Sequence, residues 1–154
     1  MIFKKQVVFS FFLCLFIFIS IHNLYSQQTQ RDYSPVVLSH FKHSLEYIMA
    51  GDYPNAIISC SNVIKADPNS VVSYTIRARA YYELNELDKA IADCSQAIKL
   101  DKNNATAYNI RGNSYVRKGD FKRAISDWQS AVRINPNLEE AKYNIELAMK
   151  QQDN

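Results

Sequence analysis

Three consecutive stretches of 34 residues, opening at Val37, Val71 and Ala105, carry the same residue types at the same places. Ala56, Ala90 and Ala124 share one slot, and Tyr47, Tyr81 and Tyr115 another. Ile57, Ile91 and Ile125 fill a third, and Lys65, Lys99 and Arg133 a fourth. Each stretch closes on a related tripeptide: Asp67-Pro68-Asn69, Asp101-Lys102-Asn103 or Asn135-Pro136-Asn137. A period of this size signals stacked supersecondary units, because one unit cannot bury its apolar face alone and must present it to the next. Arrays of this kind usually bind other molecules rather than transform them.

Within each unit the apolar spacing is helical, in two runs parted by a short turn. In the third unit Tyr108, Ile110, Arg111, Gly112, Tyr115 and Val116 mark a first helix that stops at Lys118-Gly119. Gly119 suits the left-handed residue that ends a helix, and Asp120 suits the cap of the next. The second helix turns Ala124, Ile125, Trp128, Ala131, Val132 and Ile134 inward and ends before Pro136, since a residue preceding proline leaves the helical region. Gly51-Asp52 punctuates the first unit in the same way. Asn85 takes the glycine's place in the second, and Ser34-Pro35 is a start signal. A last amphipathic stretch, with Ala141, Ile145, Ala148 and Met149 apolar, is expected to cover the final pair. The prediction is seven helices and no strands.

The chain opens differently. Lys4-Lys5 is followed by an apolar run over residues 7–21 and a polar exit at Tyr25-Ser26-Gln27-Gln28. The run falls short of the ~20 residues that cross a bilayer as a helix. It reads as a secretory signal cut after Ser26, with an uncleaved membrane anchor through residues 7–21 as the alternative. The expected division is a signal peptide at 1–26, a linker at 27–34, a repeat domain at 35–150 and a tail at 151–154. The repeats within it are 37–70, 71–104 and 105–138, with a capping helix at 139–150. Export implies a secreted or periplasmic protein.

The whole chain has 18 Lys and Arg against 15 Asp and Glu. Residues 1–26 hold two Lys and no acid, so their removal leaves 16 against 15. That balance gives nucleic-acid binding no support. Cys60 and Cys94 share one slot of successive units, about one helix spacing apart and too far for a disulfide. They read as small buried apolar residues, and Trp128 in the third copy of that slot supports a packing role.

These residues resemble the tetratricopeptide repeat, a 34-residue helix–turn–helix unit. In the third unit Tyr108, Gly112, Tyr115, Gly119, Phe121, Ala124, Trp128, Ala131 and Pro136 fill its signature slots. The first offers Tyr47, Gly51, Tyr53, Ala56, Val63 and Pro68, and the second Tyr74, Ala78, Tyr81, Leu87, Ala90 and Ala97. The resemblance implies an all-α fold, an α-solenoid wound as a right-handed superhelix of three such units plus a capping helix. It also implies recognition of a peptide or partner protein in the concave groove lined by the first helix of each pair, with no cofactor and no enzyme activity.

Carried onto this sequence, the groove slots are Leu38, Phe41, Leu45, Ile48 and Met49 in the first unit. The second gives Val72, Thr75, Arg79, Tyr82 and Glu83, and the third Thr106, Asn109, Asn113, Val116 and Arg117. The first set is apolar; the later ones are polar, with Arg79 and Arg117 as charged anchors. Apolar residues on an exposed concave face mark an interaction site. Residues 27–36 folding back, or a second copy docking there, are alternative occupants, so a homo-oligomer is open. Membrane association is expected only if the N-terminal segment stays uncleaved. The clamp for acidic C-termini known in chaperone-binding members is missing, since Phe41, Leu45, Ile76, Thr106 and Ile110 stand where its Lys, Asn and Arg residues would be.

Two further readings concern side-chain pairs. Arg77 and Arg111 share a first-helix slot, and Asp93 and Asp127 a second-helix slot 16 residues later. In the first unit both slots change together, to His43 and Ser59. Each Arg is therefore expected to reach its Asp across the helix pair in a shielded ion pair. His40 and His43, with Glu46 a turn on, could bring two imidazoles to one face for a metal, but both fall on slots expected to pack. No phosphate-binding loop, metal-type Cys pair or Ser/His/Asp grouping is present in the sequence.

Overall fold

The computed structural model describes residues 34–152, and over this range every regular element is an α-helix. The apolar run at 7–21 and the cleavage position after Ser26 lie outside the described residues. The helices are α1 Pro35–Ala50, α2 Tyr53–Ala66, α3 Val71–Glu83, α4 Leu87–Leu100, α5 Ala105–Arg117, α6 Phe121–Ile134 and α7 Glu139–Gln152. From α2 onward each packs against the next in the chain, and α3 also touches α5 directly, so the first helices of successive pairs are neighbours on the inner side. On α1, Ser44 packs on Cys60 of α2 and His40 Nε2 lies 3.4 Å from Asn62 Nδ2. Among the described residues no helix is long and apolar enough to cross a membrane.

The turns follow from backbone chemistry. Gly51, Asn85 and Gly119 take φ of +74°, +60° and +78°, the left-handed conformation that ends a helix. The next residue then turns its N–H back to the tyrosine carbonyl five residues earlier: Asp52 to Tyr47, Glu86 to Tyr81 and Asp120 to Tyr115, at 2.8–2.9 Å. Asp52 and Asp120 also cap the following helix, accepting from the N–H of Asn55 and Arg123. The Arg123 N–H, then its guanidinium, hold the Asp120 carboxyl below its ordinary pKa. The closing tripeptides are side-chain turns. Asp67, Asp101 and Asn135 each accept, on the side-chain oxygen, the N–H of Asn69, Asn103 and Asn137 two residues on.

The core is built from matched volumes. Ala56, Ala90 and Ala124 are fully buried, so any larger side chain would part the helices. Ser44, Ala78 and Gly112 occupy one slot and meet Cys60, Cys94 and Trp128 respectively. The bulkiest of the second set faces the smallest of the first. A Cβ on Gly112 would sit 2.8 Å from the Trp128 ring. Both thiols are free and buried. Burial pushes Cys60 up to about 11 and Cys94 higher still.

The Arg–Asp pairs form across the helix pairs, and each has a third member. Arg77 Nε and Nη2 donate to both oxygens of Asp93 at 2.7 and 2.8 Å, while Nη1 donates to Ser61 Oγ at 2.9 Å. Arg111 repeats this with Asp127 at 2.7 and 2.8 Å and with Ser95 Oγ at 3.0 Å. Ser61 and Ser95 donate onward to the carbonyls of Ile57 and Ile91. One guanidinium thus ties α2, α3 and α4, and the other α4, α5 and α6. Their side chains are only 18% exposed, with 10% and 8% for the Asp partners. The carboxylates raise the pKa of both arginines.

His43, in the Arg slot of α1, does not pack as its slot implied. It is exposed beside the Tyr47 ring, 6.1 Å between centroids, because Ser59 offers no carboxylate to draw it inward. Met149 is also more open than expected, at 43%.

At the two ends of the array, several slots that are buried inside it carry polar residues. Ser73, Ile76 and Ala80 on α3 turn toward the preceding pair, as do Ala107, Ile110 and Ser114 on α5; all are buried except Ile76, which is half-buried. The same slots on α1 hold Ser39, Lys42 and Glu46, all exposed, with Lys42 and Glu46 paired at 3.7 Å. On α7, exposed Glu146 takes the slot where Ser44, Ala78 and Gly112 receive the second helix of a pair.

Candidate binding groove

Along α1, the slots facing the groove form an apolar stripe that is largely exposed among the described residues. Leu38 is 62% exposed, Leu45 39% and Met49 86%, and Val72 on α3 continues the stripe. Phe41 and Ile48 are half-buried. The charged anchors farther along are engaged within the chain. Arg79 Nε bonds Glu83 Oε1 at 2.9 Å on the same helix. Arg117 Nη1 donates to the Tyr82 carbonyl at 2.8 Å, and its guanidinium lies 4.0 Å above the Tyr82 ring. A cation held on both a carbonyl and a ring face is fixed in direction.

Of the amides, Asn113 accepts the Trp128 indole N–H at 2.8 Å. Asn109 is half-buried, and its Oδ1 is buried without a hydrogen-bond partner. Thr75 Oγ1 donates to the Val71 carbonyl and accepts from Asn104 Nδ2, both at 2.9 Å. That bond joins α3 to the cap of α5.

A cleft of about 220 Å³ opens where α3, α5, α6 and α7 meet. Four of the expected groove residues, Tyr82, Asn113, Val116 and Arg117, line it. Leu38, Phe41, Leu45, Ile48, Met49, Arg79 and Asn109 lie outside its lining. Its other wall is α7, through Glu140, Asn144, Leu147, Ala148 and Gln151, and Phe121 and Trp128 of α6 complete it. Reading the last helix only as a cover missed this wall. The signal was available: adding one more period of 34 to Thr106, Asn113 and Arg117 lands on Glu140, Leu147 and Gln151.

His40 and His43 are not brought together with a third ligand, and among the described residues no three His, Cys, Asp or Glu side chains converge where a metal ion could sit.

The sequence pattern of the TPR repeat matches residues 78–119 and 112–153. The chain is a tetratricopeptide-repeat protein. Among solved structures it is similar to the first TPR of Spaghetti (RPAP3) bound to the HSP90 peptide SRMEEVD, at 26% identity and TM-score 0.75, over 79% of this chain and 96% of that one. It also resembles the TPR2B domain of yeast Sti1 in a complex with pHsp70, at 25% identity and TM-score 0.71, over 77% and 99%. A third similar structure is MamA, at 26% identity and TM-score 0.74, over 84% and 75%. Among curated proteins, none matches the sequence.

Proposed function

We propose that this tetratricopeptide-repeat protein is a non-enzymatic scaffold that holds a peptide segment of a partner protein along its inner groove. It works outside the cytoplasm, after export directed by residues 1–26. The observation that carries the reading is the inner surface itself. A stripe of uncovered apolar side chains on α1 leads toward a cleft whose arginine is already aimed by Tyr82. Fixed donors beside exposed apolar surface suit recognition of a chain that brings its own side chains.

The similar Spaghetti domain holds an acidic peptide and the Sti1 domain a pHsp70 ligand, which supports a peptide ligand here without naming it. Phe41, Leu45, Ile76, Thr106 and Ile110 stand at the positions of the clamp for acidic termini, and Ile110 is only 4% exposed. The ligand is therefore of another kind. Export is supported by the Lys4-Lys5 head and the apolar run over residues 7–21.

A second reading, self-association through the α1 stripe, is favoured by the exposure of Leu38 and Met49. Exposed Lys42, Glu46 and Glu146 disfavour chains stacking end to end, which places a second copy in the groove. Capture of partners by the wild type is compared with Leu38→Glu/Leu45→Glu, both exposed positions that leave the core intact. Loss of specific capture is expected, and unchanged capture overturns the groove. A dimer by light scattering that the same substitutions dissociate would favour the second reading.

A further inference from the structure

The cleft between α5 and α7 has the properties of an anchor subsite, and this deepening rests on the groove reading above. Its volume, about 220 Å³, is well above the ~10–15 Å³ that one water needs and below the ~300 Å³ where pockets for drug-sized ligands begin. One large side chain with its flanking peptide groups fits that interval. The walls are Val116, Phe121 and Leu147, and buried Trp128 and Ala148 also line it. These surfaces accept an apolar group.

The polar lining is amide-rich. Asn113 Oδ1 is committed to the Trp128 indole, which leaves its N–H groups as donors. Asn144 and Gln151 also line it, and each side-chain amide carries both a donor and an acceptor, the complement of a peptide unit. Charge sets the remaining limit. Arg117 of α5 and Glu140 of α7 line the same cleft and offset one another. Arg117 has also already committed one nitrogen and its flat face to Tyr82. A carboxylate entering here meets Glu140, and an ammonium meets Arg117.

We infer that this cleft anchors the partner through one bulky uncharged side chain of the leucine, methionine or phenylalanine kind, while the amides of Asn113, Asn144 and Gln151 hold the main chain on either side.

Trp128 is the sole tryptophan of the sequence, so its indole signal reports on the cleft directly. The test titrates the full chain with N-acetyl-leucine-N-methylamide and with the aspartate analogue. The leucine probe is expected to shift the Trp128 indole resonance saturably, with a dissociation constant of about 1 mM, and the aspartate probe to bind at least about tenfold more weakly. Ala148→Leu, which fills the cleft, and Asn144→Ala on its rim should each weaken the leucine probe several-fold. Leu45→Glu, outside the cleft, should leave it unchanged. The Asn144 substitution keeps the test valid if the larger side chain at Ala148 disturbs folding. Equal binding of both probes, absence of a saturable shift, or sensitivity to Leu45→Glu instead overturns the anchor. Partner capture that remains sensitive to Leu38→Glu/Leu45→Glu would at the same time leave the groove reading standing.

Discussion

The first helix pair and the third are built on one pattern, yet they are held together by different means. In the third, Gly112 lets Trp128 lie against α5, and Arg111 binds Asp127 on one side and Ser95 on the other. In the first, Ser44 faces Cys60, the Arg slot is an exposed His43 and the Asp slot is Ser59. No apolar side chain of α1 is fully buried, and Ser44 alone on that helix is. Helix α2 is still tied forward, because Ser61 accepts from Arg77. So, among the described helices, α1 alone buries no apolar side chain fully, and it also bears the apolar stripe. Binding surfaces drawn from the less stable end of a fold can adjust to a ligand, and ordering them costs affinity.

The sharpest way to break the contrast is to remove one carboxylate from each pair. Asp127→Ala leaves a shielded guanidinium without its partner and should cost about 3 kcal/mol in a denaturant melt. Ser59→Ala in the matching slot should cost less than about 1 kcal/mol. Equal losses would mean that the ion pair adds nothing to the third unit. Lys122→Ala, on an exposed side chain, serves as the reference and should change stability by under about 0.5 kcal/mol.

Next comes packing. Gly112→Val places methyl groups where the Trp128 ring lies and should destabilise by about 2 kcal/mol, with a change in near-ultraviolet circular dichroism from the displaced indole. A stable variant with an unchanged indole signal would show that α5 and α6 are not at closest approach.

The two thiols read the difference in mobility. Both are buried and protonated near neutral pH, since burial raises both pKa values, Cys60 to about 11. Labelling by a thiol reagent therefore needs local opening. Cys60 lies under Ser44 of α1, a helix with no fully buried apolar side chain, whereas Cys94 packs on Ala78 between tied helices. Cys60 should react at least tenfold faster, equivalent to about 1.4 kcal/mol in opening free energy. Equal rates would place α1 in the same cooperative unit as the rest.

The smallest expected effect is constructive. His43→Arg with Ser59→Asp grafts the later pair onto the first and should add about 0.5–1 kcal/mol, since among the described residues the third member that Ser61 and Ser95 supply elsewhere has no counterpart. The same double variant should slow Cys60 labelling and leave Cys94 alone. A gain in melting temperature without that slowing would show that the graft acts elsewhere.

Helix number, turn positions and the Arg–Asp pairs were legible in the sequence because each is a local rule repeated in register. Gly51, Asn85 and Gly119 announce left-handed turns, and two slots that change together announce a contact. The third member of each tie was hidden, because Ser61 and Ser95 donate to their own helices and look like ordinary surface serines. The groove was only half legible. The period located its slots, but Arg79 and Arg117 look like free anchors until Glu83 and Tyr82 are seen to engage them. The α7 wall was overlooked because a terminal helix is easily taken for a lid.

The polar slots at the two ends have a consequence for how such a chain can lengthen. A new neighbour would bury Lys42 and Glu46 on one side and Glu146 on the other. A duplicated segment 71–104 placed in the middle, by contrast, regenerates both ties: its own Arg meets the Ser of the copy before it, and its Ser meets the Arg of the copy after. Such an insertion lengthens the array from within, one unit at a time, and leaves both of its ends as they are.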